Sequence, residues 1–426
     1  MNQKVVGLAM SLHQGWRGVG QLSCIVNLFC AFVFVASFPA FAQSQDLRQR
    51  SDFRPPAPGS RLPLEPSKPK FSGDDFQIEG KLAVGSQYLT DEFNQGANAA
   101  FGLASRMRYS FLKSLSLNAE AFMTFSAERF QSQFDSDDFA EGLRARQFDL
   151  VFKPIKYFQL GAGGINQKEF IWAPLLLSNR AFPGAYEQIN IVGDHNSEYC
   201  NCLQVRAGQF LPTSRSFDTD RQEKEPDPFL STIGVRGMLT PNKHISFTAH
   251  YLNFRYENLP SVVAFRSRVR GNTVLGETAP NSLFAFDFSG YVAGGTINLR
   301  PTDSVAVNFH FQAIENEEAP ESVNSGRIAW VQPIIRLMKS GGVVLKPLAG
   351  AYYNEPDTAP GFYSWGDLGH NNREGTFYGL DIDFNNHNFR LRSKLVQADL
   401  INEDDFNFQT NQTYAVITLE TLYVTF

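Results

Sequence analysis

The chain has 426 residues, 43% of them hydrophobic and 19% charged, with a formal net charge of −5. That balance supplies apolar material for a large fold and lacks the basic excess that nucleic acid attracts, so nucleic-acid binding is not expected. Beyond residue 42 no apolar stretch approaches the roughly 20 residues of a spanning helix, which excludes a helical membrane domain there.

Lys4 and Arg17 precede the apolar run from Ile25 to Phe38, and Ala40-Phe41-Ala42 puts small residues where a signal peptidase reads. Residues 1–42 are therefore expected to be a cleaved secretion signal, with Met10 an alternative start. Residues 43–75 are Pro-rich and polar and have no apolar periodicity, the composition of a disordered periplasmic segment.

From Phe76 the period becomes two and stays two to the end, so residues 76–426 form the expected folded domain. Phe76, Ile78, Leu82, Val84 and Tyr88 share one face, against Gln77, Glu79, Lys81 and Gln87 on the other. The next two segments repeat the pattern. Phe101, Leu103, Met107, Tyr109 and Phe111 oppose Ala104, Arg106, Arg108 and Ser110, and Leu115 to Phe125 alternate with Ser116, Asn118 and Glu120. No comparable helical period appears.

Tight turns at 112–114, 154–156, 240–243, 301–304, 339–342 and 385–388 alternate with long polar segments at 131–142, 212–227, 258–281, 316–326 and 354–374. Short turns on one side and long loops on the other are the pattern of an antiparallel transmembrane β-barrel, with turns in the periplasm and loops outside the cell. About 16 strands fit, an even number that leaves both chain ends in the periplasm. Mean hydropathy is −0.24, as expected where lipid-facing and lumen-facing residues alternate. The 39 phenylalanines suit aromatic girdles.

The chain stops at Tyr423-Val424-Thr425-Phe426, with Leu422, Val424 and Phe426 on one face. This resembles the terminal-strand signal read by the barrel-assembly machinery, and it marks Tyr423 and Phe426 as its carriers. Glu420 interrupts the face, while Ile417 and Leu419 continue it in the other phase. A bulge near Glu420 restores it.

Face by face, the expected lumen residues are Lys81, Arg106, Arg108, Glu120, Arg206, Arg236, Lys346, Asp381, Asp383, Arg390, Arg392 and Lys394, with Glu79 a further acid. Charges lining a pore bias selectivity by sign, and bases exceed acids, which suggests a mild anion preference. The alternative is that they pair on the wall and only keep the lumen wet. Folding the 385–388 turn so that Phe384 opposes Phe389 predicts Asp383 opposite Arg390 and Asp381 opposite Arg392, both inward.

The connection from Asn166 to Tyr186 holds Ile171, Trp172, Leu175, Leu176, Leu177 and Phe182, too apolar to lie in water. It occupies the place of the third loop in 16-stranded porins. In this and in its architecture the chain resembles the general porin class and, more faintly, phosphate-selective porins. The resemblance implies a third loop folded into the barrel, with Arg180, Lys168 and Glu169 at a pore constriction. Packing on the outer rim or on a trimer neighbour is the other reading.

Cys200 and Cys202 form a C-x-C pair, for which a local disulfide is the plain expectation in an oxidising compartment and a reactive or metal-binding pair the alternative. Asp194-His195-Asn196-Ser197 reads as a turn, since four adjacent residues cannot form a triad by adjacency. His250 and His310 are too isolated to argue for metal. No phosphate loop or cofactor fingerprint stands out, so neither an enzyme nor a cofactor is expected.

The sequence thus points to a cell outer-membrane barrel acting as a porin-like channel for small hydrophilic solutes, anionic or neutral. The rival is a structural or adhesive barrel with a plugged lumen. Expected partners are outer-membrane lipid, lipopolysaccharide and the assembly machinery, and a homotrimer is an assembly open to it.

Overall fold

The computed structural model describes residues 76–91, 95–129, 142–192, 201–214, 221–222, 224–337, 342–403 and 409–425. The signal, the Pro-rich segment, Asp194 to Ser197, Cys200 and Phe426 lie outside the described residues.

Sixteen strands form one closed antiparallel sheet. They are β1 (Phe76–Thr90), β2 (Gln95–Leu112), β3 (Leu115–Arg129), β4 (Gly142–Ile155), β5 (Phe158–Asn166), β6 (Ala181–Val192), β7 (Cys202–Phe210) and β8 (Phe229–Asn242). The sheet continues with β9 (Ile245–Glu257), β10 (Phe288–Thr302), β11 (Val305–Asn316), β12 (Ser325–Arg336), β13 (Val343–Asn354), β14 (Arg373–Phe384), β15 (Phe389–Leu400) and β16 (Gln412–Thr421), which Val424–Thr425 prolongs. Each strand pairs with its sequence neighbours, and β1 also pairs with β16, closing the ring. Both strand ends at this seam lie on the side of the short turns.

Alternation decides which way each side chain points. Leu82, Val84, Phe101, Phe125, Leu150, Ile233, Phe309 and Tyr378 are exposed on the outer wall. An apolar belt of this extent is stable against hydrocarbon rather than water. The register at the 385–388 turn matches the sequence expectation: Phe384 opposes Phe389, Asp383 opposes Arg390 and Asp381 opposes Arg392. A slip of one residue would turn these charges to lipid, at about 2–4 kcal/mol for each Arg near the midplane.

The bulge near the end of the chain is present. Ala83 faces Glu420 while Gly80 faces Val424, so Lys81 and Leu82 oppose three residues of the last strand. Ile417 is exposed on the outer wall, and so is Val424 beyond the bulge. The Thr421 hydroxyl accepts from the Leu82 N–H at 2.9 Å within it.

One connection departs from the expected boundaries. β5 runs to Asn166 and β6 starts at Ala181, so Phe182 and Tyr186 are strand residues and the third loop is 167–180. The fifth loop carries a helix, α1 (Ser261–Arg268), and a two-residue hairpin of Val274–Leu275 with Leu283–Phe284.

Candidate pore constriction

The third loop turns inward from a pinched neck. The Asn166 side chain accepts from the Lys168 N–H at 3.1 Å and donates to Asn179 at 2.8 Å, while Gln167 N–H donates to the Arg180 carbonyl at 3.1 Å. One 3₁₀ turn, Gln167–Glu169, follows, and the apolar run then enters the barrel. Arg236 of β8 donates to the Phe170 carbonyl at 3.4 Å, and Gln312 of β11 to that of Trp172 at 2.9 Å. Gly234 of β8 makes room: a Cβ there would sit 2.7 Å from the Phe170 ring.

Leu175, Leu176 and Phe182 are at most 2% exposed, in one cluster with inward residues Leu252, Phe254, Ile314 and Ile328 of the wall. Burial of each such side chain contributes about 1.5–3 kcal/mol towards holding the loop on the wall. The seventh loop, residues 355–372, closes over it. Ser178 N–H donates to the Tyr363 carbonyl at 2.6 Å and Trp365 N–H to that of Pro174 at 3.0 Å. The rim reading of the third loop is thereby replaced: its apolar face packs on the inner wall.

The loop's polar edge turns towards β4, the strand beside its own stem. Glu169 accepts from Gln147 of β4 at 2.6 Å, and Gln147 also donates to the buried Asp149 at 2.7 Å. Lys168 Nζ stands 5.0 Å from the Trp172 ring centre. Burial pushes its ammonium down to about 8, Arg146 and Arg392 add to the shift, and Glu120 and Asp367 oppose it. Those four groups belong to β4, β15, β3 and the seventh loop, so Lys168 feels charges from several elements around the lumen.

Trp172 is ringed by Trp330 at 5.3 Å, Trp365 at 5.5 Å and His310 at 6.2 Å. His250 and His310 are not isolated, contrary to the sequence reading: they stack at 6.3 Å, with Gln312 3.0 Å from the His250 ring. Gly294 between them permits this, since a Cβ there would come within 2.9 Å of His250. Among the described residues no cluster suits a metal ion.

Facing the loop is a charged strip around the seam. Asp383 binds Lys346 at 2.6 Å and Arg390 at 3.0 Å. Glu420 takes Lys81 at 2.6 Å, Arg390 at 3.5 Å and Arg392 at 3.7 Å. Arg392 also holds Asp381 at 3.1 Å, and Arg106 holds Glu120 at 2.9 Å while lying 4.1 Å over the Tyr423 ring. Lys394 reaches Asp367 at 3.3 Å and rests 3.8 Å over Trp365.

The expected lumen residues thus fall into three groups. Lys81, Arg106, Glu120, Lys346, Asp381, Asp383, Arg390, Arg392 and Lys394 form the strip, and Arg206 and Arg236 brace the third loop. Arg206 donates to Gln188 at 2.8 Å and lies 4.0 Å over the Tyr186 ring. Arg108 is exposed, opposite Gln77 and Asn118, away from both groups. Lys168 and Glu169 lie on the inward edge, whereas Arg180 sits where the loop returns, 4.4 Å over the Phe362 ring. Cys202 begins β7, half-buried.

Arg146 and Glu420 were missed as lumen groups because bulges shift their phase, at Glu120/Ala121 against β4 and beside Glu420 in β16. Asp367 and Trp365 were missed because loop residues have no period to read. Only the bulge signal at Glu420 was legible.

No protein-family model matches the sequence, and no curated protein matches it. Its structure is similar to that of OprB from Pseudomonas putida, with TM-score 0.53 at 9% identity, over 83% of this chain and 94% of that one. The likeness is one of fold, a closed 16-stranded antiparallel barrel. Weaker likenesses are to an OmpT loop-deletion mutant, an outer membrane protein of Vibrio cholerae, with TM-score 0.47 at 10% identity over 82% and 100% of the two chains. OccAB1 of Acinetobacter baumannii likewise gives 0.47, at 11% identity over 83% and 97%.

Proposed function

We propose that this outer-membrane barrel is a passive channel for small hydrophilic solutes, with a mild preference for anions. The observation that carries the reading is the two-sided third loop. Its apolar face is spent on the wall, and its polar edge, Lys168 and Glu169, is presented to a charged strip. A loop held this way narrows a passage and leaves polar groups lining what remains. In the Glu420 and Asp383 network the cations Lys81, Lys346, Arg390 and Arg392 outnumber Asp381, Asp383 and Glu420. Because these groups pair with one another, the anion preference they leave is small.

A second reading, a structural barrel with a plugged lumen, is favoured by the apolar packing of the third and seventh loops inside the wall. Single-channel recording of the purified protein in planar bilayers separates the two. Stable ohmic steps, with a reversal potential on the anion side in a salt gradient, support the channel. Silence from correctly folded protein supports the plug.

Secretion by a signal in residues 1–42, contact with lipopolysaccharide and a homotrimeric assembly belong to the same proposal. So does delivery by the assembly machinery through Phe426. Deleting Phe426 is expected to lower the heat-modifiable, folded fraction in outer membranes, and normal assembly of the truncated chain would remove that role.

A further inference from the structure

At the extracellular end of β10–β13 the outer wall carries a cleft of about 440 Å³, lined by Tyr291, Glu315, Ser325, Arg327, Tyr353 and Glu355 over Ala313. Strand register builds it. Tyr291 lies opposite Glu315, Glu315 opposite Ser325, Ala313 opposite Arg327 and Arg327 opposite Tyr353. All these positions share the outward phase of the exposed Phe309 and Phe311. The small Ala313 opens a gap between two tyrosine walls.

The polar groups in the gap are fixed. The Glu355 carboxylate is 7% exposed and accepts from Ser325 N–H at 2.7 Å, Ser325 Oγ at 3.0 Å and Tyr353 Oη at 2.9 Å. Tyr291 Oη donates to Glu315 Oε2 at 2.5 Å, and the Tyr291 ring stacks on Tyr251 at 5.8 Å. Arg327 rests 5.2 Å over the Tyr353 ring. Glu315 and Arg327 are diagonal neighbours across β11 and β12, and among the described residues no ion pair joins them. The carboxylate therefore keeps acceptor capacity, and the guanidinium keeps its fork of N–H donors, aimed at one space.

Aromatic faces beside a planar acceptor and a planar donor are the chemistry that binds a sugar. The rings cover the C–H face, and the carboxylate and guanidinium take adjacent hydroxyls. A phosphate alone fits less well, because Glu317 and Glu374 flank the cleft as well and both act on its tyrosines. Tyr251, Tyr291 and Tyr353 sit where an aromatic girdle meets the membrane surface, on the side of the long loops. On that side the outer leaflet presents glycolipid. Resting on the outer-membrane reading above, we propose that this cleft holds an uncharged sugar of the lipopolysaccharide core, anchoring the barrel rim to the surrounding leaflet.

The test uses the folded barrel in detergent, freed of lipid. It is titrated with lipopolysaccharide carrying its complete core, with the same glycolipid truncated to lipid A, and with free core oligosaccharide. The complete glycolipid is expected to bind about tenfold or more tighter than the truncated one. Arg327→Ala and Glu315→Gln, checked for folding by heat-modifiable mobility, should each erase that difference. The free oligosaccharide should compete only at higher concentration. Equal binding of both glycolipids to the wild type overturns the proposal, with no variant needed. Folded variants that keep the difference overturn it as well. Competition by free oligosaccharide as strong as by the intact glycolipid would make the ligand a soluble glycan and overturn the lipid anchor. None of these results bears on conduction, since the cleft is on the outer wall.

Discussion

Two stretches of the inner wall use the same alternating strand code for opposite ends. From β9 to β12 the inward positions include Leu252, Phe254, Val292, Ile314 and Ile328, at most 7% exposed beneath the third and seventh loops. From β13 through the seam to β3 they are Lys346, Asp383, Arg390, Glu420, Lys81, Arg106 and Glu120, bound to one another. One stretch holds a loop by excluding water. The other is held together by ion pairs. An inward position in a barrel is thus not polar by rule: beneath the loops it can be apolar, with Gln312 and Arg236 as polar exceptions that bind loop carbonyls.

The comparison breaks most visibly at Leu176, which is fully buried. Leu176→Asp puts an unpaired charge in the apolar stretch, at about 4 kcal/mol or more if the loop stays docked. The loop is therefore expected to leave the wall, and single-channel conductance to rise in barrels that remain heat-modifiable. Unchanged conductance would mean that the third loop does not limit flow.

In the charged stretch the matching change is smaller. Asp383→Asn removes the carboxylate shared by Lys346 and Arg390 and should cost about 1–3 kcal/mol in denaturant unfolding. It should also move the reversal potential toward anions. A shift toward cations would show that the network does not face the conducting path.

A finer probe is a group on the edge of the third loop that feels the charged stretch. Lys168, with its ammonium lowered to about 8, is charged below that pH and neutral above it. Anion preference should therefore fall between about pH 7 and pH 9. Lys168→Arg should abolish that pH dependence, and Lys168→Gln at neutral pH should behave like the wild type at high pH. A selectivity flat with pH in the wild type would remove Lys168 from the path.

The smallest effect sharpens the register itself. Cysteines introduced by Asp383→Cys and Arg390→Cys are directly opposed, with Cβ atoms about 5 Å apart, and should crosslink readily. Asp383→Cys with Leu391→Cys points to opposite faces and should not.

The fold was legible because alternation, turn length and an even strand number are all local signals. Phe384, Phe389, Asp383 and Arg390 fix a register without help from the rest of the chain. The strip was mostly legible for the same reason. Arg146 was not, because the bulge beside it shifts the alternation that sequence reading relies on. The meeting of Trp172, Trp330 and Trp365 was hidden too. It depends on two loops folding into the barrel, and no periodicity encodes where a loop goes. Loop position suggested Arg180 for the constriction, but no period could foretell that it lies over the Phe362 ring of the seventh loop.

The bulge beside Glu420 has a kinetic consequence. Closing the ring joins β1 to β16 across almost the whole folded chain, so loop-closure entropy must be overcome before any seam contact forms. A slip by one residue at that moment would send Glu420 outward and part it from Lys81, 2.6 Å away in the closed ring. The extra residue between Glu420 and Val424 lets Tyr423 enter the lumen beneath Arg106 while Val424 still meets lipid. Only one alignment satisfies both ends of the last strand. The closing register is therefore specified at two separate points of the last strand, on either side of the bulge.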